Sequence, residues 1–254
     1  MSAPDDEGGG EEQTFISHLI ELRERMLKAV AAVLAILVVL MPFSNKLYHW
    51  IAQPLMERMP PNATMVAIDV ASPFLTPVKL AFFVALFLAM PIVLYQGWAF
   101  VAPGLYRHEK KLGLPILASS VLMFYLGCAA AYFFVLPKVF AFLLATTPEG
   151  VSMTTDIGRY LDFVLTMFFA FGLCFEVPVV VFILAVLGWV TPAQLSKNRP
   201  YVVFGAFLVA AVVAPPDALS MIMLAIPMCV LYEIGLIAVR IFVHRTRSQQ
   251  ADAA

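Results

Sequence analysis

The stretch LTMFFAFGLCFEVPVVVFIL, residues 165–184, holds one carboxylate, Glu176, in an otherwise uncharged run, with Pro178 two positions further on. About 20 helical residues cross a hydrocarbon core of roughly 30 Å, so the run reads as a membrane span. An acidic side chain at that depth costs on the order of 3 kcal/mol and is by default a functional group facing a cavity or a partner. Pro178 cannot donate to the Cys174 carbonyl and its ring crowds that turn, so a kink exposing backbone acceptors is expected beside the carboxyl. The plainer alternative is a carboxyl bonded to a neighbouring helix for packing alone.

The rest of the chain has the same character. It is 62% hydrophobic and 13% charged, against roughly 45–50% and about 25% for soluble domains. The fold class is therefore an all-α integral membrane protein. Long uncharged runs give six transmembrane helices, at about 24–43, 75–96, 113–136, 160–187, 201–214 and 218–239. Spans 5 and 6 are short. Span 5 offers only about 21 Å of helix, so either the local bilayer thins or the turn after it lies below the outer surface.

The flanks are polar. Residues 1–13 are acidic and glycine-rich, unlike the basic start of a cleavable signal peptide, and are expected to be a disordered tail. Residues 14–28 have apolar side chains at helical spacing, Phe15, Ile16, Leu19, Leu22, Met26 and Leu27, with His18, Glu21, Arg25 and Lys28 opposite. That is an interfacial helix leading into span 1. The membrane domain is placed at 14–243, with a C-terminal tail at 244–254.

Six spans put both termini on one side. That side collects Arg23, Arg25, Lys28, Arg107, Lys110, Lys111, Lys197, Arg199, Arg240, Arg245 and Arg247, whereas the other has Lys46, Arg58, Lys79, Lys138 and Arg159. Eleven against five makes both ends cytoplasmic. The net charge of −1 gives no reason to expect a nucleic-acid partner.

Catalytic motifs fail. His108-Glu109-Lys110-Lys111-Leu112 begins like HExxH but has leucine where the second metal ligand belongs, and there is no GxSxG elbow or P-loop. Cys128, Cys174 and Cys229 stand in separate apolar runs without CxxC spacing, and the four histidines are scattered. No enzyme activity, metal or cofactor is expected. Glu233 lies near the cytoplasmic end of span 6, within reach of headgroups or Arg240, and Asp217 directly precedes a helix as an N-cap would. Glu21 can pair with Arg25 at i+4 for a few tenths of a kcal/mol, and Glu109 can pair within its own loop.

The strings HLIELRERM, DVASPF, LYQGWAFVAPGLYRHEKK, FGLCFEVPVV, KNRPY, APPDALS and LAIPMCVLYEIG, in this order over residues 15–242, resemble TatC, the multispanning subunit of the twin-arginine protein translocase. The resemblance implies a concave, glove-like six-helix receptor in the bacterial cytoplasmic (inner) membrane. It implies binding of twin-arginine signal peptides of folded cargo, assembly with single-span TatA and TatB-type partners, self-association, and export driven by the proton-motive force.

The family's signal-peptide site matches Glu21, Arg23, Phe100 and Glu109 here, which favours a binding role for the two glutamates over local pairing. Two adjacent arginines present planar donor forks that paired carboxylates accept bidentately and that lysine cannot reproduce. Glu176 matches the family's intramembrane acidic position, where it would meet a polar group on a partner helix or inserted peptide. Pro54, Asp69, Pro73 and Asp217 match the family pattern in roles that look structural. Ala214 and Met221 stand where relatives often have polar residues, so partner contact at spans 5 and 6 would rely on shape and apolar packing. The rival reading is a proton-coupled small-solute transporter using Glu176, with a closed midplane site.

Overall fold

The computed structural model describes residues 8–56, 65–101, 113–146, 155–213 and 218–252. Apart from one two-residue ladder, the regular structure of these residues is helical. Helix α1, Gly8–Leu40, absorbs the interfacial segment and span 1 into one element and passes through a 3-10 turn, Met41–Phe43, into α2, Ser44–Met56. It begins at Gly8, so residues 8–13 are helical where the sequence suggested disorder. Extending an existing helix adds one hydrogen bond per residue fixed and escapes the cost of nucleation.

Span 2 is α3, Ser72–Val101, with Pro77 and Pro91 inside it. Span 3 is α4, Gly113–Ala130, then a π-helical segment, Ala131–Val135, then α5, Leu136–Ala145. The wide turn has a local cause. Pro137 has no N–H to offer the Phe133 carbonyl and its ring crowds that turn, while the Leu136 N–H donates five residues back, to the Ala131 carbonyl.

Span 4 is α6, Ile157–Val186, capped by the Asp156 side chain and continuous through Pro178. Gly188, with φ of 74°, turns the chain out of it. After α7, Pro192–Lys197, opened by a Thr191/Gln194 capping box, come α8, Arg199–Val213, and α9, Ala218–Asp252. Among the described residues, five helical stretches are long and apolar enough to cross a membrane: Ile16–Ile51, Ser72–Phe100, Gly113–Phe142, Ile157–Val186 and Met221–Ile241. The fifth span of the sequence reading is the shorter apolar helix Arg199–Val213, 15 residues, or roughly 22 Å.

The packing centres on α6, which lies against α4 and α9, while α1 pairs with α3 and α8 with α9. Along α4 the buried residues Ile116, Ser120, Phe124 and Gly127 recur at helical spacing. Here the two helices interlock. A Cβ on Gly127 would lie 2.4 Å from the Phe171 carbonyl oxygen, and one on Gly172 would lie 2.5 Å from the Phe124 ring. Only glycine lets a backbone and a ring come this close, the small-residue mode of helix contact in membranes.

At the opposite end from Gly188, strand β1, Met65–Val66, pairs in parallel with β2, Thr155–Asp156, tying two loops together. Asp156 accepts from the Arg159 amide at 3.0 Å and the Ile68 amide at 3.1 Å. These two bonds hold its carboxyl below the usual carboxylate range. Nearby, Lys79 of α3 pairs with Asp162 of α6.

The glycine seam can be tested directly. Gly127→Val forces α4 away from α6 and is expected to destabilise the purified protein by roughly 1–3 kcal/mol, read as a lowered Tm in detergent. Gly205→Ala, where an added Cβ meets nothing within 4 Å, should leave Tm unchanged or raise it.

Candidate functional site

Glu176 follows Gly172 by one helical turn, on the α6 face that meets α4, and only 7% of its surface is exposed. The fully buried hydroxyl of Ser120, seven residues before Gly127 on the same α4 face, donates to Glu176 Oε2. Trp98, near the end of α3, donates its indole N–H to Ser120 Oγ at 3.3 Å. Glu176 Oε1 is buried and has no hydrogen-bond partner among the described residues. A buried polar atom left unmatched costs about 1–3 kcal/mol, so the carboxyl keeps one unsatisfied oxygen in an apolar setting.

Pro178 is half-buried and touches α9. A Cβ on Gly235 would lie 2.8 Å from the Pro178 Cα, so the proline ring fits against a glycine of the neighbouring helix. Beside this contact an apolar groove runs between the three helices, lined by Ser119 and Met123 of α4, Phe175 and Pro178 of α6, and Leu231 and Ile234 of α9.

The second cluster lies where α1 meets the end of α3. The His18 ring stacks on Phe100, with centroids 4.2 Å apart and planes 19° from parallel. His18 Nδ1 is 4.0 Å from Glu21 Oε2. Arg25 grips the other oxygen, donating to Glu21 Oε1 from Nε at 2.9 Å and from Nη2 at 2.5 Å. Glu21 and Phe100 thus come together through His18, while Arg23 is exposed on α1. Glu109 lies outside the described residues.

Asp69 and Glu233 bond elsewhere. Asp69 accepts from the Ala71 amide at 3.4 Å, and its carbonyl accepts from the Ser72 amide at 3.1 Å. It shapes the turn before α3, whose second residue is Pro73. Pro54 lies in the last turn of α2, and Asp217 falls outside the described residues. Glu233 bonds to Arg199 of α8 at 2.6 Å, whereas Arg240 donates to Ser196 Oγ at 2.6 Å. The expected reach of Glu233 towards Arg240 is therefore corrected, because α8 offers the nearer guanidinium.

The sequence reading placed His18 on a polar face without a role, and it missed Ser120, Trp98 and the helix cap Asp156. His18 had a signal in its i+3 spacing to Glu21, and Asp156 in its place before an apolar run. Ser120 and Trp98 had none, since their meeting depends on how α3, α4 and α6 pack.

The model of the family described as Sec-independent protein translocase protein (TatC) matches residues 17–227. A TatC of Azotobacter chroococcum mcd 1 is 52% identical over 244 residues, covering 96% of this chain and 94% of that one. The TatC of Escherichia coli K12 is 50% identical over 238 residues, covering 94% and 92%. A crystal structure of a twin-arginine translocase receptor TatC superposes with a TM-score of 0.79 at 34% identity, over 88% of this chain and 98% of that one. With a family model across most of its length and full-length relatives at this identity, the chain belongs to the TatC family of Sec-independent protein translocase proteins.

Proposed function

We propose that this protein is the receptor and core subunit of a twin-arginine translocase in the bacterial inner membrane. It crosses six times, counting α8, with both termini cytoplasmic, the side favoured by the lysine and arginine distribution. It binds twin-arginine signal peptides, assembles with copies of itself and with TatA and TatB-type single-span proteins, and serves export driven by the proton-motive force. Membership of a protein-translocase family favours this over a small-solute transporter.

The observation that carries the peptide site is the joining of α1 to the end of α3 through Glu21, His18 and Phe100. Glu21 already accepts a guanidinium from Arg25 through two donors, so an arginine of the incoming peptide exchanges for one already present. At a half-exposed site that exchange is nearly neutral, because exposed pairs are worth only about 0–1 kcal/mol. Net affinity must come from a second carboxylate, assigned to Glu109, and from apolar contact with Phe100. Arg23 supplies positive charge beside the site.

Glu176 is assigned contact with a polar group on a partner helix or on the inserted peptide. The unmatched Oε1 supports this assignment, because a group held for packing alone gains by satisfying both oxygens.

Two outcomes follow. In site-specific crosslinking from position 20, which is exposed next to Glu21, a peptide with paired arginines is captured, and Glu109→Ala or replacement of RR by KK weakens capture by roughly 10- to 100-fold, the loss of one charge-assisted contact. Equal capture of RR and KK peptides would contradict the site. In an export assay, Glu176→Gln, which keeps size and hydrogen bonding, retains more transport than Glu176→Ala. Full export by Glu176→Ala would remove the residue from function.

A further inference from the structure

We propose that Ser120 and Trp98 are positioning residues for Glu176, forming a two-step hydrogen-bond chain that occupies Oε2 and leaves Oε1 as the one oxygen offered to an incoming polar group. This rests on the reading of Glu176 as a contact point. An indole N–H only donates, whereas a hydroxyl donates once and accepts twice. The bond from Trp98 to Ser120 Oγ therefore runs in one direction. It leaves the single hydroxyl proton for Glu176 Oε2.

The neighbouring serine shows the alternative. Ser119 donates back to the Ile116 carbonyl at 2.7 Å, as serines in apolar helices commonly do. Ser120, fully buried one residue later, donates across to α6 instead. The register that permits this is set by the contacts of Gly127 with Phe171 and of Gly172 with Phe124. Trp98 stands two residues before Phe100, whose ring stacks on His18. The chain to the intramembrane carboxyl thus starts at the end of α3 that also carries the peptide cluster.

The test uses the full chain with its partner proteins in native membranes for export, and the purified full chain for spectroscopy. Variants are Ser120→Ala, Ser120→Cys and Trp98→Phe, with Glu176→Ala and Glu176→Gln as references. The infrared band of the Glu176 carboxyl is identified as the one that Glu176→Gln removes. Ser120→Ala and Trp98→Phe are expected to shift this band and to lower export roughly tenfold, in line with one lost hydrogen bond to a carboxyl. Crosslinking of a twin-arginine peptide from position 20, which is exposed next to Glu21, stays at the wild-type level. Ser120→Cys, similar in size but a weaker donor, falls between wild type and Ser120→Ala in both measurements.

An unshifted band, wild-type export in Ser120→Ala, or a cysteine variant worse than alanine overturns the assignment. If Glu176→Ala exports normally, the reading of Glu176 itself fails. If Glu176→Ala loses export while Ser120→Ala and Trp98→Phe keep it, only the positioning chain is wrong.

Discussion

A carboxyl sits deep in this helical bundle because a hydroxyl from the next helix reaches it, and the hydroxyl reaches it because two glycines let the backbones come together. Gly127 lies against the Phe171 carbonyl and Gly172 under the Phe124 ring, which fixes the register of α4 on α6. One turn along α6 is Glu176, and two turns along α4 is Ser120. The gain from tight packing and the cost of a buried polar group therefore share one seam. In hydrocarbon, packing and hydrogen bonding must hold helices together without a hydrophobic drive between them, and this seam supplies both.

The second cluster obeys different physics. Around Glu21 the groups are half-exposed and the ion pair with Arg25 is locally cheap to open. Such a pair can exchange partners, and in the peptide site proposed above selectivity would lie in fork geometry, which distinguishes arginine from lysine, more than in strength. The α3 helix joins the two regimes. Phe100 stacks on His18, and two residues earlier Trp98 enters the buried chain.

The sequence reveals what depends on run length and on isolated charge. The apolar stretches around Glu176, and those forming α3 and α9, are long enough to announce themselves, and a lone carboxylate among phenylalanines is conspicuous. The i+4 spacing of Glu21 and Arg25 likewise predicts the observed pair. What stayed hidden depends on contacts between distant segments. The parallel ladder of Met65–Val66 with Thr155–Asp156 involves two residues per strand with no periodicity to detect. The π-helical segment before Pro137 looked like ordinary span, although a proline four residues after Phe133 was the available clue. Ser119 and Ser120 are adjacent and alike in sequence, yet one bonds within its own helix and the other across to α6. Only the packed register separates them.

The central claim is that Glu176 keeps an unmatched oxygen in a buried place, serving another polypeptide and not only its own bundle. A photoreactive side chain introduced at position 180, exposed one turn after Glu176, in the full chain with and without the Glu176→Ala change, irradiated in native membranes with and without a twin-arginine cargo, tests this most directly. Capture of the inserted peptide or of a single-span partner, changing with cargo, is the predicted result. Adducts to lipid alone, identical with and without cargo, would contradict it.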